Sequence, residues 1–290
     1  MIISKFNYSL APKVPKAQSY GHQSFPCTQN QVKTGRGGKA MSSPERAIIN
    51  DSGLATAFGT INSTMPDMQG LVNFTKFYRD PELFKALPEY LDKKFPNGAP
   101  IYCYACSDGS EPYTLAIEMM EQKINKFFPL KCLDLSKEMI SDVKEGSIEI
   151  LNADLNDYPI LKNYFKKQNY QYGVVTYNPT TKLKEKITAQ EADVLEDIKK
   201  DDKFKEPAVV MFRNAWYLLE QGYHKSKIDQ RTALAEGLFE KLKPGSLLII
   251  GQTDLDASTT SIIEKTGFIP VKKDEFKHKY NQRYFVYERP

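Results

Sequence analysis

The stretch of sequence that decides the fold is IYCYACSDGSEPYTLAIEMM, residues 101–120. It begins with a short apolar run, passes through turn-forming residues, and continues after Pro112 with apolar residues at helical spacing. The next segment, residues 131–135, has the composition of a second strand, and Ser136 can cap a helix after it. Together these segments predict a β-α-β unit.

Segments further along the chain repeat this alternation. Residues 208–212 and 247–250 have the composition of buried strands, and a helical pattern lies between them. Strands separated by helices predict a mostly parallel sheet covered on both faces. Residues 268–271 and 283–287 flank a charged turn, which predicts a C-terminal antiparallel hairpin at the edge of an α/β fold.

The domain organisation follows from changes in composition. Residues 1–70 contain much Pro, Gln, Ser, Gly and Lys without periodicity, which predicts an irregular N-terminal arm or a small N-terminal region. Residues 71–290 then form the main domain. Within it, residues 172–177 and 184–188 have strand-like sequences, and they predict a small inserted β subdomain at about 146–188.

Composition and charge exclude several classes of protein. The 290 residues are 41% hydrophobic and 26% charged, as in soluble globular proteins. The net charge of +4 is dispersed, which argues against nucleic-acid binding. No apolar run approaches the roughly 18 residues of a membrane span, and no secretory signal is visible. We therefore expect a cytoplasmic protein without membrane insertion.

The cysteines do not indicate a metal site. Cys103 and Cys106 have CxxC spacing, but the sequence has no second such pair and no histidine nearby to complete a zinc shell. We expect no metal, and we expect reduced, buried thiols rather than disulfides.

The turn after the first strand predicts the kind of ligand. Gly109 allows close approach of the backbone, and Glu111 can accept hydrogen bonds from a cationic group. Asp134 ends the second strand, where a carboxylate can accept both hydroxyls of a ribose. The turn lacks GxGxxG and places an acid and a proline where a diphosphate needs free N–H groups. S-adenosylmethionine fits better than NAD, although an ordinary strand-turn-helix with a capping acid would also explain this motif alone.

Five motifs occur in order over residues 70–290. They are NFTKFYRD at 73–80, ACSDGSEPY at 105–113, DLS at 134–136, FRN at 212–214 and LKPG at 242–245. In these motifs the chain resembles the CheR-type (chemotaxis receptor) methyltransferases. The resemblance implies a class I methyltransferase fold, which is Rossmann-like, with S-adenosylmethionine as cofactor and S-adenosylhomocysteine as product.

The resemblance also implies the site residues. Those implied to line the cofactor pocket are Asn73, Thr75, Arg79, Glu111, Asp134, Arg213 and Asn214. The pair that meets the adenine is matched to Asp193 and Val194, and a competing alignment places it at Asn156. Arg79 and Tyr217 are the expected catalytic residues. The family's tyrosine near the acceptor has Leu218 at the matching position here, with Tyr217 one residue earlier.

The family's reaction is methylation of receptor glutamates in chemotaxis, so the resemblance implies a protein-carboxylate O-methyltransferase. A carboxylate is ionised at neutral pH and needs no general base, which agrees with the lack of an evident catalytic histidine. We expect a monomer whose partner is a protein substrate, such as a receptor. The alternatives are a methyltransferase that acts on a different protein or a small molecule, and a non-catalytic cofactor-binding module. They stay open because residues 1–65 and the tyrosine position depart from the family.

Overall fold

The computed structural model describes residues 75–171, 174–221 and 229–290, and the predictions for residues 1–70 lie outside this part of the chain. Its strands are β1 (Ile101–Tyr104), β2 (Leu130–Asp134), β3 (Ile148–Glu149), β4 (Phe165–Gln171), β5 (Val174–Pro179), β6 (Ile187–Glu191), β7 (Val209–Phe212), β8 (Leu247–Ile249), β9 (Ile269–Pro270) and β10 (Val286–Glu288). Its helices are α1 (Pro81–Lys94), α2 (Ser110–Glu121), α3 (Lys137–Glu145), α4 (Asn152–Asp157), α5 (Leu161–Tyr164), α6 (Thr181–Lys184), α7 (Val194–Asp197), α8 (Trp216–Gln221), α9 (Gln230–Lys241) and α10 (Ala257–Lys265). Short 3₁₀ turns occur at Gln252–Asp254 and Asp274–Phe276.

The main sheet has the strand order β6-β2-β1-β7-β8-β10-β9. Its first five strands run parallel, and β10 runs antiparallel to both β8 and β9. Every residue of β1 and β7 is buried, as expected for central strands of a sheet covered on both faces. The predicted mostly parallel α/β sheet with a C-terminal antiparallel hairpin is confirmed.

The first β-α-β unit forms as its sequence predicts. Gly109 joins β1 to α2 with a left-handed φ of 88°, which a glycine adopts without steric cost. Ser136 caps α3 by accepting a hydrogen bond from the backbone N–H of Met139 at 3.3 Å. Cys103 and Cys132 lie side by side on β1 and β2 as buried free thiols.

One predicted strand belongs to a different sheet. The inserted element is a three-stranded antiparallel sheet in the order β3-β5-β4. Residues 184–188 were expected to add a strand to it, but this prediction is wrong, because Ile187–Glu191 pairs parallel with β2 at the edge of the main sheet. An edge strand has one unpaired side, and Thr188, Gln190 and Glu191 are exposed. This polar pattern resembles a strand of a small solvated sheet, which explains the error.

The apolar residues of the chain are divided among many short elements that share one core. Trp216, the only tryptophan in the sequence, is fully buried in it at the start of α8. The helix α1 has 14 residues and buries one face, including Leu83, Leu87 and Leu91. Over the described ranges, no helix combines the length and the apolar character needed to cross a bilayer.

Candidate functional site

The candidate site lies at the carboxyl ends of β6, β2, β1 and β7. The order of strands in the sheet reverses at β1, because β2 and β6 lie on one side of it and β7 and β8 on the other. In open α/β sheets, ligands bind outside the carboxyl ends of the strands at such a switch point. The segments after these four strands carry Glu111, Asp134, Asp193 and Asn214 to this edge.

The backbone at this edge adopts conformations that side chains rarely tolerate. Ala105 and Ser107, after β1, have φ of 50°, and Asn214, after β7, has φ of 56°. Non-glycine residues in this left-handed region persist only where other contacts hold them. Carboxylates supply those contacts: Ser107 N–H donates to Asp134, and Asn214 N–H donates to Asp254.

Arg213, directly after β7, is a buried cation held by two carboxylates. Its Nε donates to Oε2 of Glu111 at 2.9 Å, and its Nη2 donates to Oδ2 of Asp80 at 2.6 Å. A third hydrogen bond runs from Nη1 to the carbonyl of Ile250 at 3.0 Å. Burial acts to lower the pKa of this guanidinium, but Glu111 and Asp80 outweigh it and raise the pKa. Arg213 therefore fixes the Glu111 carboxylate at the start of α2, and its direct contact with a cofactor stays a prediction.

Asn214 gives Glu111 its second donor. Its Nδ2 donates to Oε1 of Glu111 at 3.0 Å, and its Oδ1 accepts from both the backbone N–H and the hydroxyl of Thr253 at 3.1 Å. This side chain lies directly against Gly251, where an added Cβ would come within 2.3 Å of Cγ of Asn214. The absence of a side chain at Gly251 thus allows Asn214 to orient Glu111.

Asp134 lies at the carboxyl end of β2, as the sequence predicts, and is buried. Its Oδ2 accepts a hydrogen bond from Ser107 N–H at 2.8 Å, and its Oδ1 accepts one from Ser136 N–H at 2.9 Å. These bonds fix the carboxylate between the turn after β1 and the cap of α3. A carboxylate fixed at the end of a strand in this fold is suited to accept ribose hydroxyls.

The two candidate positions for the adenine contact lie in different parts of the fold. Asp193 follows β6 and caps α7 by accepting from Leu195 N–H at 2.9 Å. The preceding residue, Ala192, donates its N–H to the carbonyl of Asp134 at 2.8 Å, so Asp193 and the half-buried Val194 follow directly after a contact with the end of β2. Asn156 is exposed on α4, which follows the inserted strand β3 rather than a strand of the main sheet.

Arg79 and Tyr217, the two expected catalytic residues, are brought together. Burial raises the pKa of Tyr217, the charge of Arg79 counteracts this, and the charge of Asp254 adds to it. Both charged groups are therefore near the phenol. Leu218 is partly buried and packs against the hydrophobic core. Because consecutive helical residues face different directions, the one-residue shift gives Tyr217 a direction different from that of Leu218.

The segment before α1 is only partly described. Asn73 lies outside the described residues, and Thr75 is half-buried just ahead of Phe77, whose ring is buried against Phe165 at 5.2 Å. Tyr78 N–H donates to Oγ1 of Thr114 on α2 at 3.3 Å. These contacts attach the segment that carries Arg79 to the helix that carries Glu111.

The polar groups at the start of α2 distinguish a dinucleotide, which carries a diphosphate, from S-adenosylmethionine, which carries an ammonium group. At the start of α2, Oδ1 of Asp108 accepts from Ser110 N–H at 2.8 Å, and Glu111 follows in the first turn. Burial raises the pKa of Asp108 to about 6. A helix N-terminus occupied by its own acids repels a diphosphate but suits a ligand with an ammonium group. The residues therefore fit S-adenosylmethionine. Nowhere in the described ranges do three or more His, Cys, Asp or Glu residues form a group that could hold a metal ion.

Two acids of this site were missed in the sequence. Asp80 occupies the N-cap position of α1 without a side-chain capping hydrogen bond, and its carboxylate pairs with Arg213 instead. Asp254 follows β8 and is almost completely buried. Asp134 is the last residue of its strand, whereas Asp254 ends the 3₁₀ turn Gln252–Asp254 beyond β8, so an acid at a strand end is a signal for the first residue and not for the second.

The fold and this site define a class I S-adenosylmethionine-dependent methyltransferase. A family model described as "CheR methyltransferase, SAM binding domain" matches residues 73–267, about two thirds of the sequence. The chain belongs to this family, and its cofactor is S-adenosylmethionine.

Solved structures similar to this chain include several methyltransferases. The DszA carbon methyltransferase is 12% identical, with 71% of this chain and 52% of that chain covered and a TM-score of 0.41. A TehB-like S-adenosylmethionine-dependent methyltransferase from Corynebacterium glutamicum is 11% identical, with 71% of this chain and 86% of that chain covered and a TM-score of 0.37. The glycopeptide N-methyltransferase MtfA, complexed with S-adenosylmethionine, is 13% identical over 61% of this chain, with a TM-score of 0.31. The match spans 57% of MtfA, and at these TM-scores the similarities carry no argument about the methyl acceptor.

Proposed function

We propose that this methyltransferase acts on a carboxylate of a protein substrate, such as a glutamate side chain of a receptor. In the proposed complex, Asp134 accepts hydrogen bonds from the ribose hydroxyls of the cofactor. Glu111, held by Arg213 and Asn214, accepts hydrogen bonds from the methionyl ammonium group. Each assignment pairs a fixed carboxylate with a donor of matching charge.

The remaining cofactor contacts follow from charge and position. Arg79 has the planar fork of donors that binds a carboxylate bidentately, so we assign it to the methionyl carboxylate. Asp193 and Val194 lie one and two residues after the backbone hydrogen bond between Ala192 and Asp134. We assign them to the adenine, with Asp193 as an acceptor for the adenine amine.

The observation that carries the choice of acceptor is the environment of Tyr217. A tyrosine phenol is protonated at neutral pH, so its O–H group is available as a donor, and burial of Tyr217 raises its pKa further. A carboxylate acceptor is ionised at this pH and offers two oxygens. Tyr217 donates to one of them and orients the other toward the reacting carbon.

When bound, S-adenosylmethionine supplies a methyl group that is already activated by the sulfonium. Transfer to a carboxylate forms an O–C bond and breaks the S–C bond, and no proton has to move. The protein therefore contributes alignment and exclusion of water rather than acid-base chemistry.

The test is transfer of a labelled methyl group. Purified protein is incubated with tritiated S-adenosylmethionine and a protein lysate, and the precipitated protein is treated with mild base. Methyl esters hydrolyse and release volatile methanol, so we expect most of the label to be released. Asp134→Ala is expected to abolish both transfer and calorimetric binding of the cofactor, whereas Tyr217→Phe is expected to impair transfer and leave binding intact.

A second candidate keeps the cofactor and changes the acceptor. Leu218 at the position of the family's tyrosine favours it, because a shifted phenol can select a different protein group or a small molecule. Label that stays on the protein after base, or that appears in the small-molecule fraction, would support this candidate. Cofactor binding without any transfer would instead identify a non-catalytic binding module.

A further inference from the structure

Asp254 joins two loops of the site through backbone hydrogen bonds. Its Oδ2 accepts from Asn214 N–H and from Gly251 N–H, the latter at 2.8 Å, and its Oδ1 accepts from Trp216 N–H at 3.2 Å. The residue is 1% exposed. One carboxylate thus holds two donors of the turn between β7 and α8, and that turn leads directly into Tyr217.

We infer that Asp254 is a positioning residue that sets the direction of Tyr217 toward the methyl acceptor. The inference rests on the proposed function, in which Tyr217 contacts the acceptor. Asn214 has a left-handed φ of 56°, which is unfavourable for a residue with a side chain. The bonds from Asp254 to Asn214 N–H and Trp216 N–H hold this conformation.

The cofactor side of the turn has other supports. The Asn214 side chain is held by Thr253 and Glu111 and does not touch Asp254 through its own polar atoms. Glu111 also accepts from Nε of Arg213, so loss of the Asp254 carboxylate affects the orientation of Glu111 less than the backbone of the turn. Its effect falls on the backbone that precedes Tyr217, so catalysis and cofactor binding respond differently.

The charge of Asp254 makes the arrangement sensitive to pH. Burial raises its pKa to about 7, while its backbone donors and the charge of Arg213 act in the opposite direction. Among the residues that the structure describes, the charged or titratable groups that interact with it are Arg213 and the Tyr217 phenol. The ionised carboxylate accepts all three N–H groups, and protonation weakens this acceptor. The turn is therefore held more firmly as the pH rises through about 7.

Trp216 reports on this turn without any assay of activity. It is the only tryptophan of the chain, it donates its backbone N–H to Asp254, and its indole N–H donates to the carbonyl of Phe212 at 3.0 Å. We expect the tryptophan fluorescence of the folded wild type to titrate with a midpoint near pH 7. Asp254→Asn is expected to abolish this transition. A wild-type emission that is flat between pH 5.5 and 8.5 would overturn the inference, even if the variant fails to fold.

Asp256→Asn is the matched control. Asp256 also accepts backbone N–H groups, from Ser258 and Thr259, but these belong to α10 rather than to the turn. We expect this control to keep the fluorescence transition and the wild-type rate of base-labile methyl transfer.

The two experiments separate failure of the inference from failure of the proposed function. We expect Asp254→Asn to lower base-labile transfer at least tenfold while the dissociation constant for S-adenosylmethionine changes less than threefold. Combined with Tyr217→Phe, it should add less than a further twofold loss, because both changes affect the same contact. Wild-type transfer rates in Asp254→Asn, or fully additive losses in the double variant, would refute the role of Asp254. If the wild type forms no base-labile product, the proposed acceptor fails, and the Trp216 titration alone decides whether Asp254 holds the turn.

Discussion

Replacing Arg213 by methionine removes the cation that holds two buried carboxylates. The side chains of Asp80 and Glu111 are only 10% and 13% exposed, and Arg213 itself is 1% exposed. Methionine fills much of the same volume, so the change deletes charge and hydrogen bonds more than packing. Water cannot readily take the place of the guanidinium.

The expected loss is large because the remaining acids keep the cost of burial without the compensating charge. Breaking a buried ion pair by removing one partner costs about 3–5 kcal/mol. For a domain of 150–250 residues, 1 kcal/mol shifts the melting temperature by about 2–4 °C. Arg213→Met is therefore expected to melt roughly 6–20 °C below the wild type.

The assay is thermal unfolding followed by circular dichroism. The variant keeps two carboxyl groups in a buried site without the cation that both of them contact in the wild type. The melting temperatures of variant and wild type are compared in the same buffer at pH 7.

Two controls make the result interpretable. Lys93→Met removes a cation from the exposed pair with Glu89, and we expect it to melt like the wild type. Arg213→Lys keeps the charge but cannot reproduce the fork of donors, so its loss should be intermediate. A loss below about 1 kcal/mol for Arg213→Met would refute the reasoning.

Three further predictions concern single positions at the sheet edge. Asp134→Asn should weaken S-adenosylmethionine binding at least about tenfold in calorimetry, equivalent to about 1.4 kcal/mol, because an amide retains one acceptor oxygen; unchanged affinity would exclude Asp134 as the ribose ligand. Gly251→Ala should destabilise the domain by about 1–3 kcal/mol in urea unfolding, because the new Cβ displaces Asn214, and stability equal to the wild type would contradict this. Asp193→Ala should weaken cofactor binding several-fold while Asn156→Ala leaves it unchanged. Weaker binding by Asn156→Ala than by Asp193→Ala would favour the alignment that places the adenine contact at Asn156.

The sheet and its first loop could be predicted because local and global signals agree there. Residues 101–120 combine a buried strand, a turn and an amphipathic helix, and each matches the observed element. The edge strand β6 was assigned to the wrong sheet for the opposite reason. Its exposed polar positions carry the pattern of a small solvated sheet, and only the pairing of Leu130 with Ile187 reveals its partner. Pairing between distant segments is not encoded in local periodicity.

The candidate site also has features that the local sequence predicts and features that depend on distant segments. Glu111 and Asp134 could be predicted because each follows a recognisable strand. Their fixation could not, because the cation and the amide that hold Glu111 come from positions 102 and 103 residues later in the chain. The direction of Tyr217 is a third case: helical geometry predicts that Tyr217 and Leu218 face different directions, but the electrostatic effect of Arg79 on Tyr217 depends on how α8 packs. In the proposed function, such packing-dependent contacts select the acceptor, whereas residues at strand ends bind most of the cofactor. A motif can therefore identify the cofactor of this family more directly than the substrate.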